Sequence, residues 1–156
     1  MHIALYQPEI PGNVGAVLRL SACFGVAVDL IEPLGFGFSD KRLKRAGMDY
    51  ADHVAVTRHA DWDVFRANVK AQPHGRIVLL SSKATTSLFE AQFLPGDTLL
   101  MGSESAGVPD EVRAQVDLAV RIPLMPGLRS LNLGVATGIA LAEALRQTGG
   151  LPKIGE

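Results

Sequence analysis

The chain has 156 residues, the length of one ordinary domain and enough to bury an apolar core without disulfides or a structural metal. Its 15 basic and 16 acidic residues leave a net charge of −1, which excludes a polybasic, histone-like binder but not a local RNA-binding patch. Hydrophobic residues make up 47% and charged residues 20%, a folded rather than a disordered composition.

Strand-like and helix-like segments alternate along the chain. His2 to Tyr6 is short, apolar and followed by Pro8, and reads as a strand. A helix follows, with Asn13 as its N-cap, apolar residues Val14, Val17 and Leu18 at helical spacing, and Gly25 as its left-handed stop. Val26 to Ile31 is a second strand, and Ser39 or Asp40 is placed to cap a short basic helix through Lys44 or Arg45. His53 to Val56 reads as the third strand. Asp61 caps a helix carrying Trp62, Phe65 and Val69, and Arg76 to Leu80 and Thr98 to Met101 are buried strands. Pro109 occupies a first helical position with Asp110 and Glu111 in the first turn, where acids suit the helix dipole. Leu118 to Ile122 is the last strand, and Asn132 to Gln147 a helix stopped by Gly149. The expected fold class is therefore α/β: a mainly parallel six-stranded sheet with helices on both faces, one domain over residues 1–150, and a tail over 151–156. In such a sheet ligands bind at the carboxyl ends of the strands, which points to the loops after Leu80, Met101 and Ile122.

The one cysteine, Cys23, cannot form an internal disulfide or a metal cluster, and reads as a small buried hydrophobe of a reduced, cytoplasmic protein. The start of the chain has no cationic region and does not read as a signal peptide. The weakly polar stretch Leu131 to Ala142 is shorter than the ~18–20 residues of a membrane span.

Familiar motifs fail here. Gly35-Phe36-Gly37 lacks the third glycine of a dinucleotide fingerprint, and Val108-Pro109 stands where a P-loop needs Lys and Ser/Thr. Ser103 to Gly107 is not a nucleophile elbow. The four histidines show no metal-ligand spacing and read as surface or strand-end residues.

Three segments remain that carry more chemistry than a scaffold needs. In Glu9-Ile10-Pro11-Gly12-Asn13 with Arg19, the two polar side chains are about 240° apart on a helical wheel, so only a tight first turn brings both to one site. In Gly102-Ser103-Glu104-Ser105-Ala106-Gly107, two glycines after a buried strand let a ligand approach the backbone, and Glu104 is the only charge. In Leu128-Arg129-Ser130-Leu131-Asn132-Leu133, polar Ser130 and Asn132 introduce a helix so apolar that it must be buried in a core or against a second subunit. Gly134 and Gly138, about one turn apart, would let another backbone approach closely.

Together these segments resemble the three motifs of the SpoU/TrmH class of the SPOUT superfamily, the S-adenosylmethionine-dependent RNA 2′-O-methyltransferases. The resemblance covers essentially the whole chain. It is strongest, through Ile31-Glu32-Pro33-Leu34-Gly35-Phe36 and the segment Asp40 to Tyr50, to the minimal members of the class. These methylate the ribose of the wobble nucleotide 34, cytidine or a modified uridine, in leucine tRNAs. The resemblance implies a homodimer, which fits the apolar last helix, and a C-terminal deep trefoil knot, which composition and periodicity do not indicate; knots are rare enough that sequence reasoning defaults against them. It implies a methyl donor held by Leu80, Gly102, Ile122, Ser130 and Leu131, and catalytic roles for Arg19, Asn13, Glu104 and Asn132. It differs at Ala106, where the minimal members carry a basic residue, at Gly134-Val135, and at Ala142.

Attack of a ribose oxygen on a sulfonium methyl requires no metal; the barrier lies in alignment and in removing the hydroxyl proton. The class account gives Arg19 the activation of that hydroxyl, whereas a guanidinium, protonated at neutral pH, equally suits a grip on the adjacent phosphate. RNA has an electrostatic seat in Lys41, Arg42, Lys44 and Arg45, which Arg19, Arg58, Arg121 and Arg129 extend. Two alternatives remain: an enzyme of the same class acting on another RNA such as ribosomal RNA, and a non-catalytic RNA-binding dimer.

Overall fold

The computed structural model describes residues 1–37, 41, 45 and 48–155. Strand β1, His2–Tyr6, leads into helix α1, Pro11–Phe24, and strand β2, Ala27–Ile31. A 3-10 helix, Met48–His53, precedes β3, Val56–His59, and α2, Trp62–Ala71. Then come β4, Arg76–Leu80; β5, Thr86–Ser87; β6, Asp97–Met101; α3, Asp110–Arg113; β7, Leu118–Arg121; and α4, Leu133–Thr148.

The strands form one sheet in the order β3-β2-β1-β6-β4-β7-β5, and every pairing is parallel. Alternate strand residues feed two cores, as the period of two demands. On one face Ile3, Leu5, Val28, Leu30, Val78 and Leu99 pack against Val14, Val17 and Leu18 of α1 and Ala140, Leu141, Ala144 and Leu145 of α4. On the other, Ala4, Ile31, Ile77, Leu79 and Leu100 pack against Trp62, Phe65 and Val69 of α2 and Val112 of α3. Two polar side-chain contacts brace the sheet. Asp97, fully buried, takes two hydrogen bonds from the Arg76 guanidinium, at 2.8 and 2.7 Å. Asp29 lies between His2 Nδ1 at 3.0 Å and His59 Nε2 at 2.7 Å.

Several boundaries differ from expectation. Among the described residues the sheet has seven strands, not six. The addition, β5, is two polar residues long, and hydrophobic patterning carries no signal for it. The third strand begins at Val56, because the apolar residues before it follow a 3-10 helix; its centre, Thr57-Arg58, is exposed, as an edge strand tolerates. Helix α1 starts two residues before Asn13, with Pro11 at its first position and Ile10 as an N-cap that makes no side-chain bond. Pro109 is the N-cap of α3 rather than its first residue. Asp61 and Asn132 cap as expected, Asp61 accepting from Val64 N and Asn132 from Gly134 N and Val135 N. Gly25 and Gly149 end their helices in the left-handed conformation. Cys23 is exposed, not buried: it lies one turn beyond Arg19, off the face that carries Val14, Val17, Leu18 and Ser21 into the core. The expected short basic helix and its caps at Ser39 or Asp40 fall largely outside the described residues.

The register sets the position of the functional site. Leu5 pairs with Met101, Met101 with Leu80, and Leu80 with Val120. The carboxyl ends of β1, β6, β4 and β7 therefore lie side by side. Their loops emerge together beside the point where the strand order reverses, the position that α/β sheets use for ligands.

Candidate functional site

These loops enclose a cleft of about 800 Å³, within the ~300–1,000 Å³ typical of small-molecule sites. All five residues expected to hold a methyl donor line it: Leu80, Gly102, Ile122, Ser130 and Leu131. Ser81, Ser82 and Lys83 after β4, and Leu124 and Leu128 after β7, also line it. Sequence reasoning placed these loops, and Leu124 and Leu128 fall in its third motif segment; it did not single out Ser81, Ser82 and Lys83, whose signal was their position just after a strand end. The walls combine aliphatic side chains, suited to a flat purine, with hydroxyl and cationic groups suited to an amino-acid carboxylate. The residues present thus fit S-adenosylmethionine.

Gly102 and Gly107 serve the loop itself. Ser103 and Gly107 pair as an isolated antiparallel bridge, with N–H to O distances of 3.0 and 2.9 Å. A Cβ on Gly102 would meet the Gly107 backbone at 2.6 Å, so any side chain there forces the turn open.

Glu104 stands at the tip of this loop, and its carboxylate accepts from Glu9 N at 2.8 Å, Ile10 N at 3.2 Å and Asn13 Nδ2 at 3.2 Å. It supplies to the start of α1 the acceptor that Ile10 lacks, as well as a negative charge where the helix dipole favours one. The contact is reciprocal: Glu9 accepts from Ser105 N at 3.2 Å and from Ser105 Oγ at 2.6 Å. Asn13 continues the network, its Oδ1 accepting from Asn132 Nδ2 at 3.0 Å. Asn132 Oδ1 then caps α4. Three of the four residues expected to be catalytic, Asn13, Glu104 and Asn132, are thus joined at the rim of the cleft.

The fourth, Arg19, is elsewhere. Because α1 is regular from Pro11, the six residues between Asn13 and Arg19 carry Arg19 about 9 Å along the axis and to another face. No tight turn brings them together. Arg19 is exposed, and its guanidinium lies over the Tyr50 ring at 5.1 Å from the centroid.

Of the residues expected to bind RNA, Arg129 lines the cleft, Lys41 and Arg45 are exposed, and Arg42 and Lys44 lie outside the described residues. Gly134 and Gly138 are taken up by the chain's own α1: the nearest atoms to a side chain at those positions are Ala16 Cβ and the Leu20 methyls. One face of α4 is buried on the core while Val135 stays exposed, so the helix is a core element first. Among the described residues no cluster of three or more His, Cys, Asp or Glu is arranged to hold a metal, and no helix is long and apolar enough to cross a membrane.

The chain is 53% identical over 152 residues to a protein of Beijerinckia indica named tRNA (cytidine(34)-2′-O)-methyltransferase, covering 97% of this chain and 94% of that one. A solved structure from work on the 2′-OH methylation of C/U34 on tRNA superposes with a TM-score of 0.86 at 47% identity, covering 94% of each chain. An AdoMet-bound rRNA methyltransferase from Sinorhizobium meliloti superposes with a TM-score of 0.84 at 29% identity, over 93% of this chain and 55% of that one. Over residues 1–142 the sequence matches the SpoU rRNA Methylase family, to which the chain belongs.

Proposed function

We propose that the protein transfers a methyl group from S-adenosylmethionine to the ribose 2′-oxygen of the wobble nucleotide 34, cytidine or modified uridine, of tRNA, with leucine tRNAs as the substrates. The carrying observation is the convergence of Asn13, Glu104 and Asn132, drawn from three distant parts of the sequence, on the rim of a cleft of the right size and chemistry. The names of the relatives support the same reaction and the same nucleotide.

When bound, the donor supplies an electrophilic methyl group on a sulfonium. The chain's part is to hold and orient. Leu80, Ile122 and Leu131 provide the apolar walls, and Gly102 and Ser130 the close backbone approach. Glu104, Asn13 and Asn132 are positioning residues that fix the three motif loops relative to one another. With three donors on its carboxylate, Glu104 is engaged as an acceptor rather than poised as a base. Arg19 grips or orients the ribose–phosphate of the substrate, a role matched by its planar fork of donors. Arg129 with Lys41, Arg42, Lys44 and Arg45 attracts the RNA backbone.

A homodimer belongs to this reading. It is supported by the exposed residues Ala16, Arg19 and Cys23 along α1 and by exposed Val135 on the adjoining α4, a surface that a second copy would cover. A cytoplasmic site of action follows from the substrate. The trefoil knot also belongs to this reading, supported by the strand order β1-β6-β4-β7, with the chain passing to the far side of β4 before α4 returns to α1.

Mass mapping of ribose methylation in tRNA from cells with and without the protein tests the activity. A methyl group lost at nucleotide 34 alone is the expected result; an unchanged anticodon loop overturns it. Sedimentation at micromolar concentration tests the dimer, which a monomeric species would exclude.

A further inference from the structure

A second depression, of about 590 Å³, adjoins the donor cleft and shares Ser82, Lys83 and Arg121 with it as a common wall. Thr85 and Ser87 line only this second space. Its polar lining is therefore two cations and three hydroxyls, with no carboxylate. Both cations are exposed, and neither is paired with an acid among the described residues. Arg76, Lys70 and Arg146, by contrast, are paired with Asp97, Asp117 and Glu143.

The backbone beneath is well anchored. Ser87 pairs with Arg121 across β5 and β7, and Leu88 N donates to Arg121 O at 2.8 Å. Ser81 Oγ accepts from Lys83 N at 3.2 Å, shaping the turn that presents the lysine. Two residues beyond Ser87 the ring of Phe89 is 57% exposed at the same edge of the sheet, the kind of flat apolar surface on which a nucleobase stacks.

We propose that this depression seats the phosphodiester next to the methylated ribose, with Lys83 and Arg121 holding its oxygens and the hydroxyls of Ser82 and Thr85 completing the contact. The inference rests on the methyltransfer reading above. A ribose whose 2′-oxygen faces the donor cleft carries its 3′-phosphate on the neighbouring carbon. That phosphate has to leave the donor cleft by an adjoining opening, and the wall shared by the two spaces is where the free cations stand. The seat is built from the segments around β4, β5 and β7, at the end of the strand order opposite β3, and adds a second hold on the RNA backbone to the one proposed for residues 41–45.

The test uses full-length protein and undermodified bulk tRNA. Lys83→Ala and Arg121→Ala each raise the KM for tRNA about tenfold, the low end for a lost charge-assisted hydrogen bond. Each also lowers the salt slope of tRNA binding by about one. Thr85→Asp, which puts an acid in the second space and leaves the donor cleft's lining untouched, raises the same KM with donor affinity by calorimetry unchanged. A wild-type protein that adds no methyl to tRNA overturns the activity itself. A wild-type protein that methylates, with all three variants matching its KM and salt slope, overturns the phosphate seat alone.

Discussion

Glu104→Gln exchanges one carboxylate oxygen for an amino group at nearly constant volume, so it tests the chemistry of the loop-to-helix clasp without opening a cavity. The best arrangement of the amide keeps its oxygen towards Ile10 N and Asn13 Nδ2 and turns its amino group to Glu9 N, which now faces a donor where it had an acceptor at 2.8 Å. One charge-assisted bond is lost, worth about 1.5 kcal/mol, and two others lose their charge assistance. Removing the negative charge from the start of α1 costs about 0.5 kcal/mol more. Water reaches this rim and rehydrates part of what is orphaned, which brings the sum to about 2 kcal/mol. For a chain of this length that lowers Tm by about 4–8 °C. Urea unfolding reads it directly, as a lower midpoint at unchanged m-value. Glu90→Gln, at an exposed acid, is the control and should stay within ~0.5 kcal/mol of wild type. A double-mutant cycle with Asn13→Ala should show coupling of at least ~0.5 kcal/mol. A Glu104→Gln protein as stable as the control, with additive behaviour towards Asn13, would refute the clasp.

Two further outcomes are expected. Burial, the largest single influence, pushes the Asp29 carboxyl up, but hydrogen bonds from His2 and His59 together with their charges outweigh it, so its pKa in the fold lies below the ordinary 3.8. Protons then bind the unfolded chain more readily, and the stability Asp29 contributes is fully present above 3.8 and lost as pH falls through the lowered value. The stability gap between wild type and Asp29→Asn should therefore shrink as pH falls below 3.8; a gap independent of pH across that range would contradict the sign. Tyr50→Leu removes the ring under Arg19 and should slow single-turnover methyl transfer several-fold, whereas Tyr50→Phe, which keeps the π face, should stay within about twofold. Equal rates for both variants would remove Tyr50 from the positioning of Arg19.

How far the sequence was legible depends on the range of the interaction. The strands that pattern as continuous apolar runs, such as Ile77 to Leu80, lie where expected, because burial on both faces of a parallel sheet writes itself into local composition. The stops at Gly25 and Gly149 and the caps at Asp61 and Asn132 are also local and equally readable. Asn13 is the instructive failure. Its residue type and position suit an N-cap, but Pro11 opens the helix earlier and frees the side chain for partners at positions 104 and 132. No periodicity reports a contact spanning 91 or 119 positions. Arg19 fails in the opposite way: the helical wheel already separated it from Asn13, and the regular helix realises that separation. Arg121 reads as an extension of the basic cluster, but its pairing with Lys83 is not legible in sequence, because the two lie 38 positions apart and neither lies in a basic run.

The polarity of the rim network follows from one residue. A carboxylate has only acceptors to offer, so Glu104 requires Asn13 to present its amino group, which leaves the Asn13 oxygen facing Asn132. Asn132 must answer with its own amino group, and its oxygen is thereby turned to the free N–H groups at the start of α4. Each amide has one orientation that satisfies both neighbours. With glutamine at 104 the amide oxygen still faces Asn13, so both asparagines keep their orientation, but the hold of the loop on Asn13 loses its charge. That weaker hold loosens the chain of amides through Asn13 to Asn132, which caps α4 beside Ser130 and Leu131 in the donor cleft. Donor affinity should therefore fall in Glu104→Gln, and the fall should be smaller when Asn13→Ala has already cut the network. A donor affinity indifferent to residue 104 would mean that the two ends of the chain of amides are not coupled.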